Sequence, residues 1–318
     1  MRVIYLGTPQ FAVPTLEAIL GAGHQVLTVV TQPDRPRGRG HNVSFSPVKE
    51  CALGNHLPLL QPERIRRGDA VAQLAQLRAD IMVVVGYGQL LPQALIDAAP
   101  LGIVNVHASL LPHLRGAAPI QWAIARGDRI TGVTTMQVNA GLDTGDILLQ
   151  ADTEIGPEET APELSERLSV MGAALLLDTL DGLSANTLEA QPQNNTLATL
   201  APLIRKQDGQ IAWSQPAQAI HDLVRGLQPW PGAHTVFRGR GLHVWRSRPA
   251  SAATDLAPGT LVIDNGLFAA TGHGQLLELL EVQAEGRKRV SGEAFANGQR
   301  LEHNELLGRP EGPESTIQ

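Results

Sequence analysis

The sequence contains a single cysteine, Cys51, among its 318 residues. An internal disulfide and a cysteine-based metal cluster are therefore excluded. Long apolar runs are also lacking, because no stretch reaches the roughly 18 residues that a membrane-spanning helix needs. The first residues enter a strand pattern at once, without the features of a cleavable signal. These absences predict a cytoplasmic protein that has no membrane partner and no metal.

An excess of positive charge is lacking too, since the formal net charge is −6. That balance argues against a protein coated with basic surface for nucleic acid. Residues 203–249 are an exception, with seven arginines and lysines against two aspartates. Nucleic-acid binding is therefore expected only as a local patch.

The composition that remains is globular, 43% hydrophobic and 18% charged, and the chain is long enough for two domains. Short β-branched runs at residues 3–6, 25–30 and 80–85 alternate with helical patterns. This alternation predicts an α/β fold with a parallel sheet and right-handed crossovers. The stretch 31–41 is too rich in proline and glycine for regular structure.

A polar stretch separates the two predicted domains. We predict a catalytic domain over residues 1–186, a linker over 187–204 and a second domain over 205–318. The second domain shows five short strand patterns between Gly-rich turns. They predict a small, OB-like β-barrel, a form that often binds oligonucleotides.

A carboxamide and an imidazole lie two residues apart in the apolar run that begins at Ile103. On a strand, Asn105 and His107 would point to the same face, near the edge where open α/β sheets keep their chemistry. Asp143 follows in a turn-rich loop. Together the three can support acyl or formyl transfer without a covalent nucleophile: Asn105 donates to an oxyanion, His107 exchanges a proton, and Asp143 orients the imidazole or accepts a proton.

The sequence gives weaker support to three other kinds of site. Residues 7–14 have one glycine where a dinucleotide fingerprint needs three. Asp143 and Asp146 lack the further spaced carboxylates of a calcium loop. Ser109 is a rival nucleophile, but no Gly-x-Ser-x-Gly elbow surrounds it.

Three arginines without a lysine lie in the loop that follows the second predicted strand: Arg35, Arg37 and Arg39. A solvated loop is the simplest interpretation. However, loops at this edge of a sheet are placed to contact substrate, and guanidinium groups match phosphate oxygens. The arginines therefore favour a phosphate-bearing substrate.

These motifs resemble the folate-dependent formyltransferases. The resemblance depends on Asn105-x-His107-x-Ser109-Leu-Leu-Pro112 followed by Arg-Gly-Ala-Ala-Pro, and on Gly141-Leu-Asp-Thr-Gly-Asp146. It covers nearly the whole chain. The arginine loop and Pro229-Trp-Pro-Gly-Ala233 indicate the branch of this family that acts on tRNA.

The resemblance implies a Rossmann-like formyl-transfer domain followed by a barrel that helps to bind tRNA. The donor would be 10-formyltetrahydrofolate, and the acceptor would be the α-amine of methionine on initiator methionyl-tRNA. Arg39 would contact tRNA, and a monomer is expected. The residues implied in tetrahydrofolate binding are Ser109, Leu110, Leu111 and Pro112, with Gln89, Leu90 and Leu91 on the pterin side.

Two alternatives remain open from the sequence. The same chemistry could serve another acceptor, an amino sugar nucleotide or water, although the arginine loop and the basic patch disfavour it. The chain could also be a non-catalytic RNA-binding protein that uses residues 203–249. The set of Asn105, His107 and Asp143 argues against that second alternative, as does the overall acidity.

Overall fold

The computed structural model describes residues 1–37, 42–67, 69–302 and 304–308. The chain divides into two compact units. The first unit consists of Met1–Pro119, Ile130–Glu154 and Leu164–Pro202, and the second consists of Ile120–Arg129, Ile155–Glu163 and Leu203–Gln318. In the parts of the chain that the structure describes, no helix is long and apolar enough to cross a bilayer.

Up to residue 202 the chain alternates between strands and helices. The strands are β1 (Arg2–Gly7), β2 (Gln25–Val30), β3 (Arg35–Arg37), β4 (Asn42–Ser44), β5 (Leu59–Leu60), β6 (Ile81–Val85), β7 (Ile103–His107), β8 (Arg115–Gly116), β9 (Ile130–Gln137), β10 (Ile147–Glu154) and β11 (Leu200–Ala201). The helices are α1 (Val13–Gly21), α2 (Pro47–Gly54), α3 (Ala70–Gln76), α4 (Gln93–Ile96), α5 (Pro119–Ala125) and α6 (Ala161–Ser184).

Seven of these strands form one sheet in the order β10-β9-β7-β6-β1-β2-β5. Five neighbouring strands of this sheet, β7-β6-β1-β2-β5, pair in parallel, which confirms the predicted α/β, Rossmann-like class. The sheet is not parallel throughout, because β9 runs antiparallel to both β7 and β10. The short loop 138–146 between β9 and β10 leaves no room for the crossover that a parallel pair requires.

The two faces of this sheet bury different sets of side chains. Val104 and Val106 of β7 belong to a core that includes Leu176 and Leu180 of α6. Ile103 belongs to the core on the other side of the sheet. Because side chains alternate along a strand, Asn105 and His107 lie on the same side as Ile103. Helix α6 therefore covers the face away from these two polar residues.

Local signals in the sequence account for several element boundaries. At the start of α6 the pattern Thr160-Ala-Pro-Glu163 is typical of a capping box, and the Thr160 amide donates to Glu163 Oε2 at 2.8 Å. Hydrogen bonds from Thr160 lower the pKa of Glu163. Cys51 lies partly buried in α2 and packs against the core, as expected for a small apolar residue. One prediction is wrong: residues 35–37 form β3 and pair with β4.

The second unit contains an antiparallel sheet. Its elements are α7 (Ala217–Gly226), β12 (Ala233–Phe237), β13 (Arg240–Ala253), β14 (Leu261–Ile263), β15 (Leu267–Thr271), β16 (Gln275–Ala284), β17 (Val290–Ser291) and α8 (Gly292–Gln299). The strand order is β12-β13-β16-β15-β14, with β17 beside β16. The five predicted strands are confirmed, whereas β17 and α8 were not predicted.

Residues 304–308 connect the two edges of this second sheet. Leu307 bridges Phe237 at the end of β12, and Leu306 bridges Thr260 next to β14. The Leu307 amide donates to the Gly259 carbonyl at 2.8 Å, and the Gly308 amide donates to the Val236 carbonyl at 2.8 Å. The sheet is thereby closed in the manner of a small barrel, in agreement with the predicted class. The exact domain boundaries remain a prediction.

Candidate active site

Strand β7 places the carboxamide and the imidazole of the predicted site. Asn105 is half-buried, and among the described residues its side chain has no hydrogen-bond partner. His107 is buried, with Nε2 3.0 Å from the Leu114 carbonyl oxygen. Because a carbonyl oxygen can only accept, Nε2 carries a hydrogen. Nδ1 is therefore the ring nitrogen that is left for chemistry.

The loop 138–146 brings Asp143 to this nitrogen. Asp143 Oδ2 lies 3.8 Å from His107 Nδ1, and the same oxygen accepts a hydrogen bond from the Gly116 amide at 2.9 Å. The carboxylate is mostly buried. The predicted proximity of Asp143 to His107 is therefore present, across a gap slightly longer than a direct hydrogen bond. The chemical roles of the three residues remain predictions.

Two glycines permit this arrangement. A Cβ atom on Gly145 would lie 1.7 Å from the Gln137 carbonyl oxygen, so the loop 138–146 can fold back on β9 only with glycine there. Gly116 has φ +125°, and its Cβ would lie 2.6 Å from the Ala201 carbonyl oxygen. Strand β11 therefore approaches β8, the strand that anchors Asp143, as closely as the backbone allows.

The residues implied in folate contact adjoin this pair, but Ser109 is already occupied. Its buried hydroxyl donates to the His113 carbonyl at 2.6 Å, and Nε2 of His107 is bound to Leu114. This geometry disfavours Ser109 as a nucleophile. Leu111 is buried, with its amide donating to Thr134 Oγ1 at 3.1 Å. Leu110 and Pro112 are partly buried.

The second predicted folate segment follows β6. Gln89 is held in place, since its Oε1 accepts from the Ile65 amide at 2.8 Å. Leu90 is 61% exposed and offers apolar surface, whereas Leu91 packs against the core. Of the three, Gln89 and Leu90 line a cavity.

This cavity, about 1050 Å³ in volume, lies at the carboxyl ends of β1, β2 and β6. Such crevices are the usual ligand sites of open α/β sheets. Tyr87 lines it, and its buried hydroxyl has no hydrogen-bond partner among the described residues. Burial raises the pKa of Tyr87 to about 12. The phenol therefore stays protonated at neutral pH and can donate a hydrogen bond.

Four exposed arginines line the same cavity: Arg35, Arg64, Arg66 and Arg67. Within the described residues, none of their side chains forms an ion pair. Asp34 does not neutralise them, because it is paired with Lys49, whose hydrogen bond lowers the pKa of Asp34. Glu63 is a second carboxylate in the lining, but the four arginines outnumber it, so the cavity is an anion-attracting surface.

Sequence reasoning found only part of this cluster. Arg35 was predicted, whereas Arg64, Arg66 and Arg67 were missed; the pattern Glu-Arg-Ile-Arg-Arg after Pro62 could have indicated them. Arg39 lies outside the described residues, and Arg37 is described only as part of the backbone of β3.

The basic patch of residues 203–249 is smaller than the sequence predicted. Arg225 is buried and paired with Asp222, while Arg238 pairs with Glu305. Arg248 pairs with Glu278. The basic residues of this range that stay exposed, without an ion pair among the described residues, are Arg205, Lys206, Arg240 and Arg246.

Metal coordination does not arise from these side chains as they are placed. Among the residues that the structure describes, no group of three or more histidine, cysteine, aspartate or glutamate side chains is arranged to hold an ion.

Comparison with known proteins identifies both parts of the chain. A family described as "Formyl transferase" matches residues 1–180, and one described as "Formyl transferase, C-terminal domain" matches residues 203–300. The methionyl-tRNA formyltransferase of Solibacter usitatus is 61% identical over 308 residues, which cover 97% of this chain and 99% of that protein. The enzyme of the same name from Koribacter versatilis is 53% identical over 311 residues, with 97% and 99% covered.

Solved structures share the fold at low sequence identity. The N-formyltransferase from Helicobacter canadensis, in complex with folinic acid and dTDP-3-aminofucose, superimposes with a TM-score of 0.68. It is 18% identical, and the match covers 89% of this chain and 98% of that one. At this identity the likeness supports the fold alone.

Proposed function

Because the chain belongs to the methionyl-tRNA formyltransferase family, we propose that Asn105, His107 and Asp143 carry out that family's reaction in this protein. The sequence matches confirm the predicted family resemblance. The protein is a formyltransferase that moves the formyl group of 10-formyltetrahydrofolate to the α-amino group of methionine on initiator methionyl-tRNA, for the initiation of translation.

The first step is attack of the α-amine on the formyl carbon. A new C–N bond forms, and the carbonyl electrons move onto oxygen. The half-buried Asn105 amide has no partner among the described residues, so it is free to donate to this oxyanion. Removal of one such donor costs roughly 3–4 kcal/mol of transition-state stabilisation in other enzymes. Collapse then breaks the bond to N10 of the folate.

Proton transfer belongs to His107 and Asp143. The attacking nitrogen must lose a proton, and N10 must gain one as it leaves. Nε2 is committed to the Leu114 carbonyl, so the proton exchanged by the imidazole is the one at Nδ1. Asp143 faces Nδ1 at 3.8 Å and stabilises the charged ring or takes the proton through water. The proposal depends on this one observation, the approach of Asp143 Oδ2 to His107 Nδ1.

We assign the folate donor to the segments Gln89–Leu91 and Ser109–Pro112. We assign the phosphates of the acceptor to the arginine-lined part of the cavity, whose wall also includes Gln89 and Leu90. Arg35, Arg64, Arg66 and Arg67 supply unpaired guanidinium groups, and the phosphates of the tRNA 3′ strand supply matching charge. Arg37 and Arg39 are proposed to extend this contact.

The second unit is proposed to hold the body of the tRNA with Arg205, Lys206, Arg240 and Arg246, which are exposed. The division into a catalytic domain (1–186), a linker (187–204) and a tRNA-binding domain (205–318) is part of this proposal. We also propose a monomer that acts in the cytoplasm, where its tRNA substrate is charged.

An acceptor assay tests the function directly. Formyl-labelled 10-formyltetrahydrofolate would be incubated with the protein and with charged initiator tRNA, an amino sugar nucleotide or water alone. We expect label on methionine only with the charged tRNA. Label on the sugar, or release of formate, would favour the other acceptors. Tight RNA binding without any transfer would favour a non-catalytic RNA-binding protein.

A further inference from the structure

We propose that Gln193 is a positioning residue for formyl transfer. It lies between the two regions that match known families, in the stretch that composition predicts to be a linker. Its side chain connects the loop that carries Asp143 with the segment Leu114–Gly116, which binds both Asp143 and His107. The inference rests on the proposed role of Asp143.

Gln193 uses both ends of its amide. Nε2 donates to the Asp143 carbonyl at 2.9 Å and to the Gly145 carbonyl at 2.7 Å. Oε1 accepts from Arg115 Nε at 3.0 Å and from Arg115 Nη2 at 2.6 Å. Carbonyls only accept and a guanidinium only donates, so these four contacts fix the orientation of the amide. The side chain is only 9% exposed.

Arg115, which Gln193 binds through Oε1, is the middle residue of the segment Leu114–Gly116. Its neighbour Leu114 provides the carbonyl that binds His107 Nε2, and its neighbour Gly116 provides the amide that binds Asp143 Oδ2. Gln193 therefore links the backbone of Asp143 to the three-residue segment that fixes both members of the catalytic pair. The gap of 3.8 Å between Nδ1 and Oδ2 depends on this link.

The surrounding chain reinforces the same connection. Thr199 accepts from the Leu114 amide through Oγ1 at 2.8 Å and from the Arg115 amide through its carbonyl at 2.9 Å. Asn195 Oδ1 accepts from Arg115 Nη2 at 2.9 Å. Arg115 is buried, and no carboxylate pairs with it in the described part of the chain. The neutral side-chain oxygens of Gln193 and Asn195 are the acceptors for its Nε and Nη2 donors.

Glutamine is required here for a chemical reason. A glutamate could accept from Arg115 but could not donate to the two carbonyls, and it would repel them. An alanine would remove both the hydrogen bonds to the two carbonyls and those from Arg115, and it would leave the buried guanidinium short of acceptors. Gln193→Glu therefore breaks the Asp143 side of the link while keeping the Arg115 side, which protects the fold.

The test compares three variants in the full-length protein: Gln193→Glu, Gln193→Ala and the matched control Gln191→Ala. Gln191 is exposed, and its side chain has no hydrogen-bond partner among the described residues. For Gln193→Glu we expect kcat to fall roughly 10- to 100-fold, since a misplacement of about 1 Å costs up to that much. KM for donor and acceptor should stay within about twofold, because neither substrate is bound by Gln193. Gln191→Ala should match the wild type.

A double-mutant cycle with Asp143→Asn separates positioning from general structure. If Gln193 acts through Asp143, adding Gln193→Glu to Asp143→Asn should lower kcat by less than about twofold more. Wild-type kcat in Gln193→Glu, or losses that multiply in the double variant, would overturn the proposal. If Asp143→Asn alone turned over at the wild-type rate, the proposed role of Asp143 would fail instead. Should Gln193→Ala fail to fold, Gln193→Glu still decides.

Discussion

The two polar regions of the first unit are built in opposite ways. Around His107 and Asp143, the backbone holds one atom of each side chain, Nε2 of the imidazole and Oδ2 of the carboxylate, and two glycines allow the backbone to close tightly. Around the cavity, Arg35, Arg64 and Arg66 are exposed, and within the described residues their guanidinium groups have no ion-pair partner. The first region is fixed and the second is adaptable.

This difference corresponds to two tasks. A reacting carbonyl requires groups held in place before the substrate arrives, because reorganisation during the reaction raises the barrier. A flexible RNA strand requires charge, and the guanidinium groups can find its phosphates as it docks. Asn105 combines both properties, since it stands on a rigid strand yet keeps its amide unpaired among the described residues.

The largest effect should come from removing the oxyanion donor on the fixed side. Asn105→Ala should lower kcat by roughly 100- to 1000-fold, about 3–4 kcal/mol. Affinity for methionyl-tRNA should stay within about twofold, because the amide is not proposed to contact RNA phosphates. Single-turnover kinetics and a tRNA binding titration measure the two quantities. Parallel losses in both would contradict the proposed role.

The next effect tests how tightly the fixed region is closed. Gly116→Ala would force φ +125° on an alanine and place its Cβ 2.6 Å from the Ala201 carbonyl oxygen. We expect a loss of about 1–3 kcal/mol in the free energy of unfolding, since strained backbone conformations cost that much. Urea denaturation measures it. Gly298→Ala is the control, because its Cβ would meet nothing within 4 Å; equal stability of the two variants would disprove the close approach.

A smaller effect is expected on the adaptable side. The triple variant Arg64→Gln, Arg66→Gln, Arg67→Gln should raise KM for tRNA about tenfold, because exposed charge contacts contribute about 0.2–1 kcal/mol each. The salt slope of tRNA binding should fall by about 0.7 for each phosphate that the variant no longer binds. KM for the folate donor should change much less than KM for tRNA, because the arginines are proposed to contact phosphates and Gln89 is held by the Ile65 backbone amide. An unchanged KM for tRNA would show that the acceptor lies elsewhere.

The smallest effect concerns pH. The hydrogen bond from Lys49, followed by that from Gln61, lowers the pKa of Asp34. A carboxyl whose folded pKa is below its unfolded value, about 3.9, stabilises the fold above that value and loses the contribution as pH falls through the folded pKa. In Asp34→Asn, the free energy of unfolding should therefore fall less steeply than in the wild type as the pH drops below about 4. Urea titrations at pH 2.5–6 measure this, and an unchanged limb would contradict it.

Much of the fold was predictable because burial and periodicity coincide. The strand containing Ile81 is wholly apolar, and Ile103, Val104 and Val106 form the apolar part of β7, since both faces of the sheet are covered. The antiparallel β9 was not predictable, because its β-branched residues read the same in either direction. The length of β13 was not predictable either, because it extends to Ala253 through a polar stretch after Trp245 that has no clear apolar period.

The site was only partly predictable for a similar reason. The period of two places Asn105 and His107 on one face, a local property of the strand. The approach of Asp143 depends on a loop folding back, and no spacing in the sequence specifies that. Gln193 lies in a polar stretch whose composition is that of a linker, although its side chain binds the loop of the catalytic unit. The position of Arg64 at the cavity could not be predicted from the sequence, because it depends on which strand ends lie side by side in the sheet.

The five residues that join β12 to β14 carry a practical consequence for protein engineering. A variant shortened before Asn304 would lose the bridges to Phe237 and Thr260 and would uncover two rows of unsatisfied peptide groups. Such rows recruit strands from other molecules, so the shortened protein should aggregate as it leaves the ribosome. Deletions that begin after Gly308 would leave these bridges intact, which makes that position the natural limit for trimming the chain or attaching a tag.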